Sequence, residues 1–181
     1  MTKIFDAAKD CTFSNRKFMF DTNIWIAING YNRPHLTDVY SHYYASILSG
    51  GNEVVINDYI LGELFNRCCR IEYQLHHEDD PECRLFKRRR MSENFCASME
   101  TVRDTCLNIV DDCIYEPAVG LDYDISSCIQ LAASGELDFS DVVIREHCKA
   151  KNYILVSHDS DFKNCGIELV TANSTVLNWR R

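Results

Sequence analysis

Four short apolar runs recur along this chain of 181 residues: Lys17-Phe-Met-Phe20, Val54-Val-Ile56, Tyr153-Ile-Leu-Val156 and Ile167-Glu-Leu-Val170. Their length and composition read as buried strands, with residues 17–21 the first and 153–157 the best defined. Helical patterns fill the intervals. Asn23 to Ile28 opens a helix, and Asn29-Gly30-Tyr-Asn-Arg-Pro34 has the composition of a loop. Thr37 is placed to cap a helix to about Leu48, stopped by Gly50-Gly51. Asn57 or Asp58 caps a longer one in which Tyr59, Ile60, Leu64, Phe65 and Cys68 recur at helical spacing. Cys113-Ile-Tyr115 reads as a short strand, Ile125 to Ala133 as a helix, and Asp138 to about Ala150 as another. Strands alternating with helices predict an α/β fold: a three-layer α/β/α sandwich around a mainly parallel sheet, in one domain over residues 1–181. The polar stretch around residues 76–105 reads as a helical elaboration of it.

Acidic residues sit where these elements begin and end. Asp21 and Asp159 each follow a predicted strand, where sheets of this kind place their ligand crevices. Glu63 lies inside the long helix, Asp138 and Asp141 open a later one, and Asp161 follows Asp159 by two. Taken singly, each has an ordinary explanation. Asp21 has the composition of a helix cap, as do Asp138 and Asp141 at their three-residue offset. Glu63 is four residues before Arg67 and suits a surface ion pair. Carboxylates gathered in one crevice repel one another, and a hard cation such as Mg²⁺ or Mn²⁺ is the usual remedy. That chemistry favours phosphodiester hydrolysis by activated water.

Composition narrows the field further. No apolar stretch approaches the roughly 20 residues that span a bilayer, and the N-terminus lacks the pattern of a secretory signal. A cytoplasmic setting with no membrane partner follows as the expectation, and ten cysteines there stay reduced. Cys68, His76, His77 and Cys83 offer four soft ligands, but their spacing matches no common zinc site. The net charge of −8 requires that any nucleic-acid partner meet local positive charge. Arg67, Arg70 and the run Lys87-Arg88-Arg89-Arg90 are the candidates for phosphate contact, with a solvated face as the plain alternative for the run.

The ordered set of Asp21-Thr-Asn23, Glu63, Asp138-Phe-Ser-Asp141 and Val156-Ser-His-Asp159-Ser-Asp161-Phe162 resembles the PIN-domain family, which includes the toxin ribonucleases of bacterial toxin–antitoxin pairs. The resemblance runs from about Lys17 to Asn173 and is densest over residues 137–162. It implies a metal-dependent endoribonuclease with Asp21, Glu63, Asp141 and Asp159 as catalytic acids. Asp21, Asp141, Asp159 and Asp161 would hold Mg²⁺ or Mn²⁺, supported by Asn23, Ser157 and Asp138. By the same likeness the products carry a 5′-phosphate and a 3′-hydroxyl, and RNA, an inhibitory antitoxin protein and a second copy of the chain are the partners it raises. Residues 76–105 exceed the compact toxin members and suit a substrate clamp, a dimer surface or a partner site. Two other functions remain open on sequence: a non-catalytic PIN-like module that binds RNA or protein, and a structure-specific DNA nuclease.

Overall fold

The computed structural model describes residues 1–31, 33–118 and 124–179; Asn32 of the expected loop lies outside them. Six strands form one sheet: β1 (Lys3–Asp6), β2 (Lys17–Phe20), β3 (Glu53–Ile56), β4 (Ile114–Tyr115), β5 (Ile154–Val156) and β6 (Glu168–Thr171). Their order is β1-β6-β5-β2-β3-β4, and every pairing is parallel. The helices described are α1 (Thr22–Ile28), α2 (Pro34–Ser49), α3 (Asp58–His76), α4 (Phe86–Arg89), α5 (Cys96–Asp112), α6 (Ile125–Ala133), α7 (Phe139–Lys151) and α8 (Ser174–Leu177). None is long and apolar enough to cross a membrane.

β2 explains the layering. Phe18, Met19 and Phe20 are fully buried, so both faces of this strand are covered. The Phe18 ring meets Tyr43 of α2 edge-on, and Phe20 packs against Trp25 of α1 and Tyr44 of α2. Met19 points the other way, and its sulfur lies 3.9 Å from the Cys148 thiol of α7. Helices on both faces of a parallel sheet make the expected three-layer α/β/α sandwich.

Local differences from the sequence reading have clear causes. β1 was not anticipated: its four residues are only partly covered and carry a charge at each end, so they lack a buried strand's signature. It is held by parallel pairing to β6, Lys3 opposite Glu168 through Asp6 opposite Thr171. α2 starts at Pro34, whose fixed φ suits the first helical turn. Thr37 does not cap it; its hydroxyl donates instead to the Ala27 carbonyl at 2.8 Å. Asn57 rather than Asp58 caps α3, accepting from the Ile60 amide at 2.9 Å. α7 stops at Asn152, which takes the left-handed conformation at φ 55°.

The elaboration is helical. α3 continues to His76, a chain of turns leads to α4, and α5 returns to pack along α3. Arg89 departs from its expected role as a phosphate contact, because it is buried. Its guanidinium stacks 3.7 Å over the Tyr73 ring, and Nε donates to the Cys83 carbonyl at 2.7 Å. Lys87, Arg88 and Arg90 remain exposed. Arg89→Ala leaves that carbonyl and ring uncovered and should destabilise the protein by about 2–3 kcal/mol in urea unfolding. Arg88→Ala should stay within about 0.5 kcal/mol of wild type.

Candidate active site

The pairing of β2 with β5 sets Phe20 beside Val156. The next residue of each strand, Asp21 and Ser157, therefore emerges at the same sheet edge. The Ser157 hydroxyl donates to Asp21 Oδ2 at 2.6 Å, and Asn23 Nδ2 donates to the same carboxylate oxygen. Asn23 also reaches Ser157 Oγ at 3.2 Å and accepts from the His158 amide at 3.1 Å. Ser157 Oγ in turn accepts from the Asp159 amide at 3.0 Å. Asp21 stands at the N-cap position of α1 but makes no side-chain capping bond, so its carboxylate belongs to this network.

Helix α7 brings the next acids. Asp138 does cap it, accepting from the Asp141 amide at 3.0 Å and from the Ser140 hydroxyl at 2.9 Å. Asp141 is thereby presented from the first turn. Oxygens of Asp141, Asp159 and Asp161 all lie within 4.8 Å of one another. The short turn after β5 is tied by the Asp161 amide, which donates to Asp159 Oδ1 at 3.0 Å. Glu63 faces the group from α3 and pairs with Arg67 at 3.4 Å.

The electrostatics match this crowding. Burial pushes the Asp21 carboxyl up to about 6; the Ser157 hydrogen bond opposes the rise, and the charges of Glu63 and Asp159 add to it. Burial also drives Asp141 up, followed by the charges of Asp138, Asp21, Asp159 and Asp161, to about 8. A hard divalent cation is the counter-charge that suits such a donor set of carboxylate oxygens.

Four residues not singled out as site residues belong to the surroundings. Tyr59 precedes Glu63 by one helical turn, hydrogen-bonds Ser140, and is pushed up by burial and by Glu63, Asp138 and Asp141. Its i,i+4 relation to Glu63 was the available signal. His158 is half-buried, its Nδ1 2.8 Å from the Tyr40 hydroxyl. The same hydroxyl accepts from the Ala172 amide at 3.0 Å. Asn173 donates to the His158 carbonyl at 2.8 Å. No spacing rule connects Tyr40, His158 and Asn173, since they come from α2, the turn after β5 and the cap of α8.

Arg70, Lys87, Arg88 and Arg90 are not part of the acidic group; they lie along α3 and in the elaboration. The four soft ligands do not converge as a set either. Cys68 is fully buried in the core and His76 is exposed, while His77 and Cys83 come together with Asp80. There the Cys83 thiol donates to Asp80 at 3.5 Å and Ser98 lies 3.1 Å from His77 Nε2.

The architecture is similar to two solved structures. One is VapBC2 from Rickettsia felis bound to a DNA fragment from its promoter, with a TM-score of 0.56 at 15% identity over 84% of this chain and 96% of that one. The other is PAE2754 from Pyrobaculum aerophilum, with a TM-score of 0.52 at 10% identity over 94% and 95% of the two chains. The fold is PIN-like. At such identities the likeness is one of fold. No protein-family model and no curated protein matches the sequence.

Raised carboxyl pKa values carry a stability consequence whose sign is fixed. The folded chain holds protons on Asp21 and Asp141 that the unfolded chain releases near pH 4, so their contribution is full below that and is lost as pH rises through about 6 and 8. In EDTA the melting temperature should therefore fall between pH 5 and 8. Asp141→Asn should flatten that fall and raise the pH 8 value; an unchanged slope would contradict the crowding described.

Proposed function

We propose that this protein is a Mg²⁺- or Mn²⁺-dependent endoribonuclease that hydrolyses RNA phosphodiester bonds. The observation that carries the reading is the convergence of Asp141, Asp159 and Asp161, whose carboxylate oxygens lie within 4.8 Å of one another, with Asp21 near enough for its charge to help push Asp141 up to about 8. Carboxylates collected at this cost call for a counter-charge. Asp21, Asp141 and Asp159 would hold the cation, with Asp161 adjoining. When bound, the cation neutralises the acids, polarises phosphoryl oxygens and lowers the pKa of water.

The chain's own groups do the positioning. Ser157 and Asn23 fix the Asp21 carboxylate, and the Asp161 amide fixes that of Asp159. Asp21 and Asp141 must lose their protons before they can hold a cation, so the cation concentration needed for activity should fall as pH rises from about 6 to 8. Glu63, which pairs with Arg67, would orient or deprotonate the attacking water.

RNA as substrate, with 5′-phosphate and 3′-hydroxyl ends, rests on the PIN likeness. So does the role of toxin in a cytoplasmic toxin–antitoxin pair, which the VapBC2 assembly suggests. An inhibitory partner would place an Arg or Lys among these acids, and a second copy of the chain is a separate partner that the likeness raises.

The test is cleavage of a mixed single-stranded RNA pool in Mg²⁺, Mn²⁺ or EDTA. Cleavage should need the cation, and Asp21→Asn or Asp141→Asn should lower it at least about a hundredfold with melting intact, the scale on which even outer partners of a metal ligand act. Undiminished cleavage by both variants would remove the site assignment.

A further inference from the structure

Helix α3 leads away from the acids along a single face. Glu63, Arg67, Arg70 and Gln74 recur at steps of four, three and four residues, with Asn66 and Tyr73 flanking them on one side. Arg70 stands seven residues beyond Glu63, about 10 Å along the axis. At that point a groove of about 530 Å³ opens between α3 and the elaboration. Arg70 and Tyr73 line one wall, Arg84 and Phe86 the other, and Arg89 closes the floor. Among the described residues, no Asp or Glu lines it.

The arginines divide by role. Arg89 is committed to the fold through Tyr73 and the Cys83 carbonyl. Arg70 and Arg84 are exposed, and neither guanidinium has an ion-pair partner among the described residues. In a chain of net charge −8, two uncommitted guanidiniums facing each other across an acid-free groove are a local reversal of sign. Phe86, at 38% exposure, adds aromatic surface beside them, with the Arg90 guanidinium 4.8 Å from its ring centre.

We infer that this groove binds the backbone and a base of single-stranded RNA to one side of the scissile phosphate, with Arg70 and Arg84 on phosphates and Phe86 stacked on the base. Paired guanidiniums suit phosphate, and an exposed ring suits a base in a sequence-tolerant way. Arg67 lies between groove and acids, so one strand can follow the α3 face from one to the other. The inference rests on the proposed nuclease reading for its choice of RNA, and its test does not depend on cleavage.

The test measures binding of a fluorescent 12-nucleotide RNA to the full chain in EDTA, for wild type, Arg70→Gln/Arg84→Gln and Phe86→Leu. Loss of two phosphate contacts should cut the salt slope by about 1.4 and the affinity roughly 25-fold at 0.1 M salt. Phe86→Leu should weaken binding with the salt slope unchanged. In Mn²⁺, the double variant should raise KM for the 12-mer with kcat retained, and leave cleavage of a dinucleotide unaltered. Wild-type affinity and slope in the double variant would overturn the inference. So would equal binding of a polyglutamate peptide, which would mark an acidic protein partner instead. If the double variant loses RNA affinity while wild type fails to cleave in any cation, the groove stands and the nuclease reading falls.

Discussion

The acids at the edge of this sheet are anchored by neutral donors. Asp21 takes the Ser157 hydroxyl and the Asn23 amide, Asp138 takes the Asp141 amide, and Asp159 takes the Asp161 amide. Such bonds fix geometry without cancelling charge. The one ion pair found to a member of the group, among the described residues, is Glu63 with Arg67. Mutual repulsion is therefore left to be relieved by a proton or a cation, and it adds to the burial that pushes Asp21 and Asp141 up.

This anchoring requires that β2 and β5 be neighbours and stay in register. A slip of one residue would reverse which side chains face each layer, and Ser157 would leave Asp21. The core guards against that slip. Phe18 and Phe20 are keyed to aromatic rings of α1 and α2 on one face, and Met19 to Cys148 of α7 on the other. α7 also carries Asp141 in its first turn, so the packing that holds the sheet aligns the acids.

What could be read from the sequence follows this division. Apolar runs such as Tyr153–Val156 announce central strands because both their faces are buried, and acids just beyond them announce the crevice. β1 escaped because a half-covered edge strand has no such run. Arg89 escaped because a basic run looks uniform in sequence, whereas its burial depends on Tyr73 sixteen residues earlier. Asp138 illustrates the converse: its capping role was legible from local spacing and is what the fold uses. The Tyr40–His158 contact joins residues 118 positions apart, beyond any local pattern.

α3 unites the two electrostatic regimes. Its first turns carry Asn57 as cap and Glu63 among the acids, and its last turns carry Arg70 and Tyr73 on the groove. A polyanion is repelled by the first and drawn to the second. On the proposed reading the groove supplies affinity for such a ligand, because the acidic end offers none until its charge is met. An excess of negative charge over the whole chain is then no obstacle to nucleic-acid binding, since screening limits repulsion between distant exposed charges to about 10 Å at 0.1 M salt. The elaboration that exceeds a minimal PIN-like fold is the part that supplies Arg84 and Phe86, and it gives the positive end its second wall.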